Sequence, residues 1–195
     1  MPKLIDHAAR EVQIAEAAWR VAVRDGVRAV SVRSVAAEAG LATASLRRAF
    51  PTQNALLAYC LELVGRRVRD RTAATAAGLA PREGARAVLR QLLPLDAERR
   101  LEMEVFLLIG TLALTDADLR PGYDAAHAEL ATGCRLVLAA LGEVGEVRAG
   151  LEPDLEASRL HALVDGLALH LLRRPVGEDT AWAERVLDAH LDSLR

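Results

Sequence analysis

Residues 31–50 constrain the fold more than any other stretch, because they predict two short helices joined by one tight turn. In the first half, apolar residues recur at the i, i+3, i+4 and i+7 spacing of an amphipathic helix; they are Val32, Val35, Ala36 and Ala39. Ser31 precedes this face, and its hydroxyl can accept a backbone N–H of the first turn. Gly40 follows the face and can adopt the left-handed conformation that ends a helix.

A second helical pattern begins after Leu41 and stops at Pro51, which cannot continue a helix. One face of this helix is predicted to be buried and carries Leu46, Ala49 and Phe50. The opposite face carries Thr43, Ala44, Arg47 and Arg48. A short helix that buries one side and presents arginines on the other suits insertion into the major groove of DNA.

Residues 38–57, EAGLATASLRRAFPTQNALL, resemble the helix-turn-helix signature of the TetR family of bacterial regulators. The matching positions are Ala39, Gly40, Leu46, Phe50, Leu56 and Leu57, with Arg33 where the family often has a DNA-contacting residue. Three positions depart from the signature. Ala42 replaces a Ser-like helix cap, Arg47 a common groove-facing Tyr, and Gln53 a phosphate-binding Lys.

The resemblance implies a regulator whose two copies enter successive major grooves of a pseudo-palindromic operator. Arg47 and Arg48 are the expected guanine readers or phosphate anchors, since a guanidinium can bridge both acceptors of guanine. Thr43, Ala44 and Ser45 are expected to approach the bases through hydroxyl or methyl groups. Arg33 and Gln53 are expected to hold the DNA backbone on either side. Lys3, Arg24 and Arg28 are further phosphate candidates, with a solvated role left open.

Composition favours an all-α protein with a sizeable core. Hydrophobic residues make up 52% of the 195 residues and aromatic residues only 3%. Alanine and leucine dominate and favour helices, and no alternating run of β-branched residues is long enough to predict a sheet. We therefore expect an N-terminal three-helix DNA-binding module over residues 1–51, a connecting helix over 52–80 and a C-terminal helical bundle over 81–195.

The net charge of −2 conceals an asymmetry along the chain. Residues 1–71 carry a net charge of +5, whereas the remainder carries −7. A basic N-terminal part is consistent with binding to phosphates and an acidic C-terminal part is not. Four arginines of the connecting helix lie several turns from its DNA end and are expected to be solvated or paired with the acidic part; they are Arg66, Arg67, Arg69 and Arg71.

Apolar periodicity and helix-breaking residues predict the remaining helices at about 5–24, 52–77, 82–93, 98–115, 118–141, 154–173 and 181–194. The first has an apolar stripe of Val12, Ala15, Trp19 and Val23. Residues 105–114 are apolar around most of the helix, which predicts burial on more than one side. Gly166 lies in the middle of a helix, where it predicts the close approach of another backbone. The stripe of the last helix includes Trp182, Val186, Leu187 and Leu191.

Neither the cysteines nor the N-terminus indicates an exported protein. Cys60 and Cys134 show no metal-binding spacing and are expected to be reduced packing residues. The first ten residues contain no signal-peptide-like apolar run. The longest uncharged apolar stretch, residues 105–115, is too short to span a bilayer. We therefore expect a cytoplasmic protein that does not interact with membranes.

No catalytic motif, cofactor loop or metal-binding motif is found, so neither an enzyme nor a cofactor is predicted. His161 and Asp165 have the i, i+4 spacing of a structural pair, and metal binding by His161 together with His170 is disfavoured by their separation along one helix. A largely apolar ligand pocket in the C-terminal bundle is more consistent with the pattern. Its candidate polar residues are Glu104, Tyr123, His127 and His161.

The resemblance further implies a homodimer formed through the last two helices and a repressor that is released by a small-molecule effector. The effector would shift the connecting helix and so change the separation of the two recognition helices. Two alternatives stay open. One is a helical enzyme or small-molecule carrier in which the hairpin is merely structural. The other is a DNA-binding activator or a constitutive repressor without a ligand.

Overall fold

The computed structural model describes residues 7–175 and 177–195, which form nine α-helices, one short 3₁₀ turn at Val27–Ala29 and no strand. The helices are α1 His7–Asp25, α2 Val32–Ala39, α3 Thr43–Ala49, α4 Gln53–Ala76, α5 Pro81–Gln91, α6 Ala97–Ala113, α7 Arg120–Glu143, α8 Pro153–Leu172 and α9 Ala181–Ser193. The all-α prediction is confirmed, and the helix ends agree to within about two residues. The predicted start of the first helix, residue 5, lies outside the described residues.

The chain divides into two compact units that are not continuous in sequence. The N-terminal unit comprises Met1–Arg66 and Glu104–Asp124, and the C-terminal unit comprises Arg67–Met103 and Ala125–Arg195. The helices α4, α6 and α7 therefore each contribute residues to both units.

In the N-terminal unit, α1 packs against α2 and the 3₁₀ turn, and α2 packs against α3. Trp19 is buried, as predicted, together with Ile14 and Val21. Val23 was predicted to belong to the same stripe but is 40% exposed, so that assignment is wrong. Each residue of a helix is rotated by about 100°, so the covered face of α1 passes through Val21 and Ala22 at this end and leaves Val23 outside.

The ends of α2 are stabilised by local hydrogen bonds that the sequence predicts. The Ser31 hydroxyl accepts the backbone N–H of Ser34, and the Ser34 hydroxyl oxygen accepts the backbone N–H of Ser31. Gly40 has a φ of 67°, the left-handed conformation expected of it. In addition, the Gln13 amide of α1 donates to the carbonyl of Ala39 at 3.1 Å. The position of α2 is thus determined at both ends.

Helix α6 is not buried around its circumference, contrary to the prediction from its composition. Val105, Ile109 and Ala113 are buried on one side, whereas Leu114 just beyond its end is 71% exposed and Leu108 is also exposed. The buried spacing of i, i+4 and i+8 is that of a helix covered along one stripe only. The prediction that α6 is buried on more than one side, made from its long apolar run, is therefore wrong.

The core of the C-terminal unit is formed by one cluster of buried residues from α5, α7, α8 and α9, which includes Leu89, Leu138, Leu160, Val164, Leu187 and Leu191. Around this core, three arginines spaced four residues apart on α5 face three carboxylates of α9. The pairs are Arg82–Asp192, Arg86–Asp188 and Arg90–Glu184. The order of the partners is reversed along the two helices, which shows that α5 and α9 run antiparallel.

Three arginines on the second half of α4 bind carboxylates within the C-terminal unit. Of the two predicted alternatives, solvated or paired, the structure shows pairing for these three. Arg71 donates to Glu102 at 2.7 Å, and Glu102 is only 3% exposed. Arg67 lies 3.9 Å from the same carboxylate, and Arg69 pairs with Glu129 at 2.8 Å. A carboxylate removed from water needs such compensation, so Glu102 depends on its two arginines.

The cysteines, Gly166 and Val186 differ in how well their environments match the predictions. Cys134 is buried and its thiol is free, and the same is true of Cys60 in the other unit. Both are therefore confirmed as packing residues. Within the described chain, a Cβ added to Gly166 would meet no atom within 4 Å, so no other backbone of this chain approaches it. Val186 was predicted to be covered but is exposed, because α9 is covered only on the side of Leu187 and Leu191.

Candidate nucleic-acid interface and histidine cleft

Helix α3 is held by the apolar side chains beneath it. Leu46 is completely buried and Phe50, which follows the helix, is almost completely buried. The ring of Phe50 packs against that of Tyr59 on α4, with 5.2 Å between centroids. Ala49 was predicted to lie on the same buried face but is exposed. The larger side chains of Leu46 and Phe50 fill the contact beneath this short helix, and the small Ala49 lies at its edge.

The outward face of α3 presents its arginines to solvent. Arg47 and Arg48 are both exposed, and within the described chain neither forms a hydrogen bond or an ion pair. Thr43 and Ala44 are exposed on the same helix and Ser45 is half-buried. The structure therefore brings all five residues predicted for base contacts onto one short helix. Its N-cap is Ala42, whose methyl side chain cannot accept a backbone N–H of the first turn, as the departure from the signature indicates.

Basic residues on the neighbouring elements differ in whether they are available. Arg28 and Arg33 are exposed without an ion-pair partner in the part of the chain that the structure describes, and Gln53 is exposed at the start of α4. Arg24, by contrast, donates to Glu38 at 2.9 Å and to Asp25. Arg20 binds the same Glu38 at 2.9 Å. Arg24 is thus paired within the protein, and Lys3 lies outside the described residues.

A cleft in the C-terminal unit contains two of the four residues predicted for a ligand pocket. It has a volume of about 180 Å³ and is lined by His127, Ala131, Arg135, Ala157, Ser158, His161, Ala162 and Asp165. Glu104 and Tyr123 are not among the lining residues and belong to the N-terminal unit. There the ring of Tyr123 packs on Phe106 and lies directly over Gly110, where any Cβ would clash with it.

The rings of His127 of α7 and His161 of α8 contact each other in the cleft, with 4.4 Å between centroids and an angle of 45° between the ring planes. Asp165 lies between them: its Oδ2 is 3.4 Å from Nε2 of His127 and 3.5 Å from Nε2 of His161. Burial is the largest influence on His161 and lowers its pKa. His127 and Arg135 act in the same direction, and the Asp165 charge opposes them. Burial therefore favours the neutral imidazole of His161.

Sequence comparison decides the family to which this arrangement belongs. The sequence profile for the N-terminal part of bacterial regulatory proteins of the TetR family matches residues 14–60, and that of the BetI-type transcriptional repressor C-terminal domain matches residues 81–195. The HTH-type transcriptional regulator PksA of Bacillus subtilis is 40% identical over 195 residues, which cover 100% of this chain and 94% of that protein. The chain belongs to the TetR family.

Solved structures of TetR-like regulators share the fold over nearly the whole length. A transcriptional regulator from Rhodococcus sp. Rha1 has a TM-score of 0.81 and 28% identity, with 94% of this chain and 95% of that one covered. A regulator from Saccharomonospora viridis, solved in complex with choline, has a TM-score of 0.83 and 24% identity, with 95% and 97% covered. This TetR-family chain is therefore a transcriptional regulator with a DNA-binding N-terminal domain and a ligand-binding C-terminal domain.

Among the described residues, no helix combines the length and the apolar character needed to cross a bilayer.

One grouping of side chains in this TetR-family chain cannot be found from the sequence: His127, His161 and Asp165 lie together. His161 and Asp165 were recognised as an i, i+4 pair, but the metal-binding possibility was weighed with His170 of the same helix and not with His127. The i, i+4 spacing of two ligand-type residues was the available signal. The third member comes from α7, and only the packing of α7 against α8 reveals it.

Proposed function

We propose that the protein is a homodimeric repressor that binds a pseudo-palindromic operator through α3 and leaves it when an effector binds. The observation that carries this proposal is the pair Arg47 and Arg48, which is exposed and unpaired within the described chain on a helix anchored by Leu46. Arginines that serve stability are normally paired, as most of those in the C-terminal unit are. Unpaired arginines on the outer face of a recognition helix are instead suited to the acceptors of DNA.

Within this proposal, Arg47 and Arg48 read guanine or anchor phosphates, and Thr43, Ala44 and Ser45 contact bases. Arg33 and Gln53 hold the phosphate backbone on either side. The domain limits proposed for these roles are residues 1–51 for DNA binding, 52–80 for the connecting helix and 81–195 for effector binding and dimerisation. A protein with this role works where the chromosome is, in the bacterial cytoplasm, and needs no catalytic activity.

The exposed apolar side chains of α8 and α9 support dimerisation through these helices. Leu155 and Leu169 are 53% and 49% exposed, and Ala162 lies midway between them at heptad spacing. Gly166 lies on α8 with no atom of another described element within 4 Å of a Cβ built on it, and Val186 is an exposed apolar residue of α9. Apolar stripes of this kind are typically covered in an oligomer. An isologous dimer would bury them and place two recognition helices about 34 Å apart, one turn of DNA.

Effector control is supported by the family and by the path of α4. The relative from Saccharomonospora viridis holds choline, which shows that a protein of this fold takes a small molecule. For the present chain we propose that His127 and His161, which share the cleft of the C-terminal unit, are candidate effector-binding residues. Glu104 and Tyr123 are retained as candidates for a separate site, because they belong to the N-terminal unit. Release follows if the effector binds more tightly to the state whose recognition-helix spacing does not fit DNA, with α4 as the moving element.

Selection of bound sequences from random DNA, followed by measurement of affinity for the selected site, tests the proposal. Arg47→Ala should weaken binding to that site by about 1–3 kcal/mol if Arg47 reads a base. Equal losses on the selected site and on random DNA would leave Arg47 only a phosphate role. Arg185→Ala is the matched control, since Arg185 is an exposed arginine of α9. Absence of any binding by the unmodified protein at low salt would refute the function, and sedimentation equilibrium should give the mass of two chains.

A further inference from the structure

Three metal-ligating side chains meet in the cleft between α7 and α8. They are His127 of α7 and the pair His161 and Asp165 of α8, and their ligand atoms lie within 4.8 Å of one another. The i, i+4 spacing places His161 and Asp165 on one face of α8, and α7 supplies the third group across the cleft. Each residue comes from the middle of a long helix, so its backbone is held firmly.

Two of the three separations between these groups match what a tetrahedral metal ion requires, and the third is within 4.8 Å. Bonds of about 2.0–2.1 Å to histidine nitrogen and carboxylate oxygen, at tetrahedral angles, separate two ligand atoms by about 3.4 Å. The distances from Asp165 Oδ2 to Nε2 of His127 and of His161 are 3.4 and 3.5 Å. Both exceed the length of a normal N–H···O hydrogen bond. Both imidazoles therefore lie near the carboxylate, at distances longer than a normal hydrogen bond.

A second observation comes from the burial of His161. The residue is 8% exposed, and its Nε2 is buried without a hydrogen-bond partner among the described residues. Buried polar atoms normally have a partner, and one without a partner calls for an explanation. A metal ion between the three groups supplies it, because the lone pair of Nε2 becomes a metal ligand.

The charge and size of the cleft are consistent with a metal ion. Arg135 is the one cationic group that lines the cleft besides the histidines, and its Nε donates to Asp154 at 3.2 Å. That pairing offsets the repulsion that Arg135 would exert on a cation. The volume of about 180 Å³ lies below the ~300–1,000 Å³ of pockets that enclose drug-sized organic ligands. A metal ion with one or two waters fits a cleft of this size, and an organic effector that occupied it would have to be smaller than a drug-sized ligand.

We propose that His127, His161 and Asp165 bind one divalent first-row transition-metal ion per chain, with Zn²⁺ as the preferred ion. Two imidazoles and one carboxylate form a donor set that suits zinc, cobalt and nickel and is too rich in nitrogen for magnesium or calcium. Three protein ligands leave the remaining position to water or to a further ligand. Metal binding in this cleft joins α7 to α8 and is independent of whether the protein binds DNA.

Titration of untagged, chelator-treated full-length protein with Co²⁺ tests the site, because tetrahedral Co²⁺ has intense visible absorption bands. We expect one equivalent per chain to produce these bands and one equivalent of Zn²⁺ to abolish them. Isothermal titration with Zn²⁺ should give the same stoichiometry. A spectrum of hexa-aqua Co²⁺ throughout the titration, or Zn²⁺ binding with no defined stoichiometry, would overturn the proposal.

Three variants locate the metal on these residues. His127→Ala and Asp165→Asn should each weaken Zn²⁺ binding by about 100-fold or more, since loss of even an outer-shell partner costs about 10–100-fold. His127 is half-exposed and Asp165→Asn preserves shape, so both variants should retain the helical circular dichroism of the unmodified protein. His170→Ala, at an exposed histidine of the same helix, is the matched control and should bind as tightly as the unmodified protein. Unchanged affinity in both folded cleft variants would place the metal elsewhere and refute the assignment.

Discussion

The two units use arginine in opposite ways. In the N-terminal unit, Arg28, Arg33, Arg47 and Arg48 are exposed and have no ion-pair partner in the described chain. In the C-terminal unit most arginines are bound to carboxylates or carbonyls. Arg71 binds the buried Glu102, and the Arg100 guanidinium donates to the carbonyls of Leu171 and Arg174 at the end of α8. The same residue type therefore serves stability in the C-terminal unit and is available for the proposed DNA recognition in the N-terminal unit.

The difference teaches that net charge along the sequence is a poor guide to where a protein binds phosphate. Arg66, Arg67, Arg69 and Arg71 are as dense a basic cluster as any in the chain, yet all four have acidic or tyrosine partners. Within the described residues, the proposed recognition surface differs in that four exposed arginines close together in sequence, on and before α3, lack compensating carboxylates. Glu38 is the exception, since it binds Arg20 and Arg24 beside α2.

The largest expected effect concerns the anchor that holds the unpaired arginines outward. Leu46→Ala removes a completely buried side chain from α3, and we expect a loss of about 3–5 kcal/mol in the free energy of unfolding. Operator binding should fall with it, because α3 loses its support. Urea denaturation monitored by circular dichroism measures the first effect. Leu114→Ala, at a 71% exposed position, is the control, and a comparable loss there would contradict the assigned core.

The next effect concerns the buried carboxylate of the C-terminal unit. Glu102→Gln keeps the shape but removes the charge that compensates Arg67 and Arg71. We expect a loss of about 2–3 kcal/mol, below the full cost of breaking a buried pair, because the arginine side chains remain 27% and 24% exposed. Glu129→Gln breaks the half-exposed pair with Arg69 and should cost less than about 1 kcal/mol. Equal losses in the two denaturation curves would remove the distinction between buried and exposed pairing.

A smaller effect is expected for an unpaired arginine outside α3. Arg33→Ala should weaken binding to the selected operator and to random DNA by the same factor. It should also reduce the slope of log affinity against log salt by about 0.9, the value for one lost phosphate contact. Fluorescence anisotropy over a salt series measures both quantities. Arg69→Ala carries the same change in charge at a paired position, and an identical change in slope for this variant would mean that pairing does not matter.

The smallest effect on stability is expected at Glu38. Hydrogen bonds from Arg20 and Arg24 lower the pKa of this carboxyl. The link between α1 and α2 is therefore intact above the ordinary pKa of glutamate and is lost as the pH falls through the lowered value. Glu38→Gln should leave unfolding at neutral pH nearly unchanged, because the pair is exposed. It should strengthen binding to random DNA by releasing Arg20 and weakening the hold on Arg24, which keeps its bond to Asp25. Weaker binding of random DNA by this variant at low salt would show that these arginines do not reach phosphates.

Local features were predictable and long-range ones were not. The cap at Ser31, the left-handed Gly40 and the outward arginines of α3 each depend on residues within one or two turns. Val23, Ala49 and Val186 were assigned to the wrong environment because spacing defines a helical face without defining how much of it a neighbour covers. The grouping of ligand-pocket candidates could not be checked from spacing either: His127 and His161 meet, while Glu104 and Tyr123 belong to the other unit.

The sequence by itself determined that the chain is helical, where its helices begin and end, and that a short arginine-bearing helix follows a tight turn. These properties depend on hydrogen bonds and side chains only a few residues apart. Only the tertiary structure decided which arginines are neutralised and which histidines share a carboxylate. Those outcomes depend on distances between atoms of different helices. Burial of the apolar core sets these distances, and the spacing of residues along a single helix does not predict them.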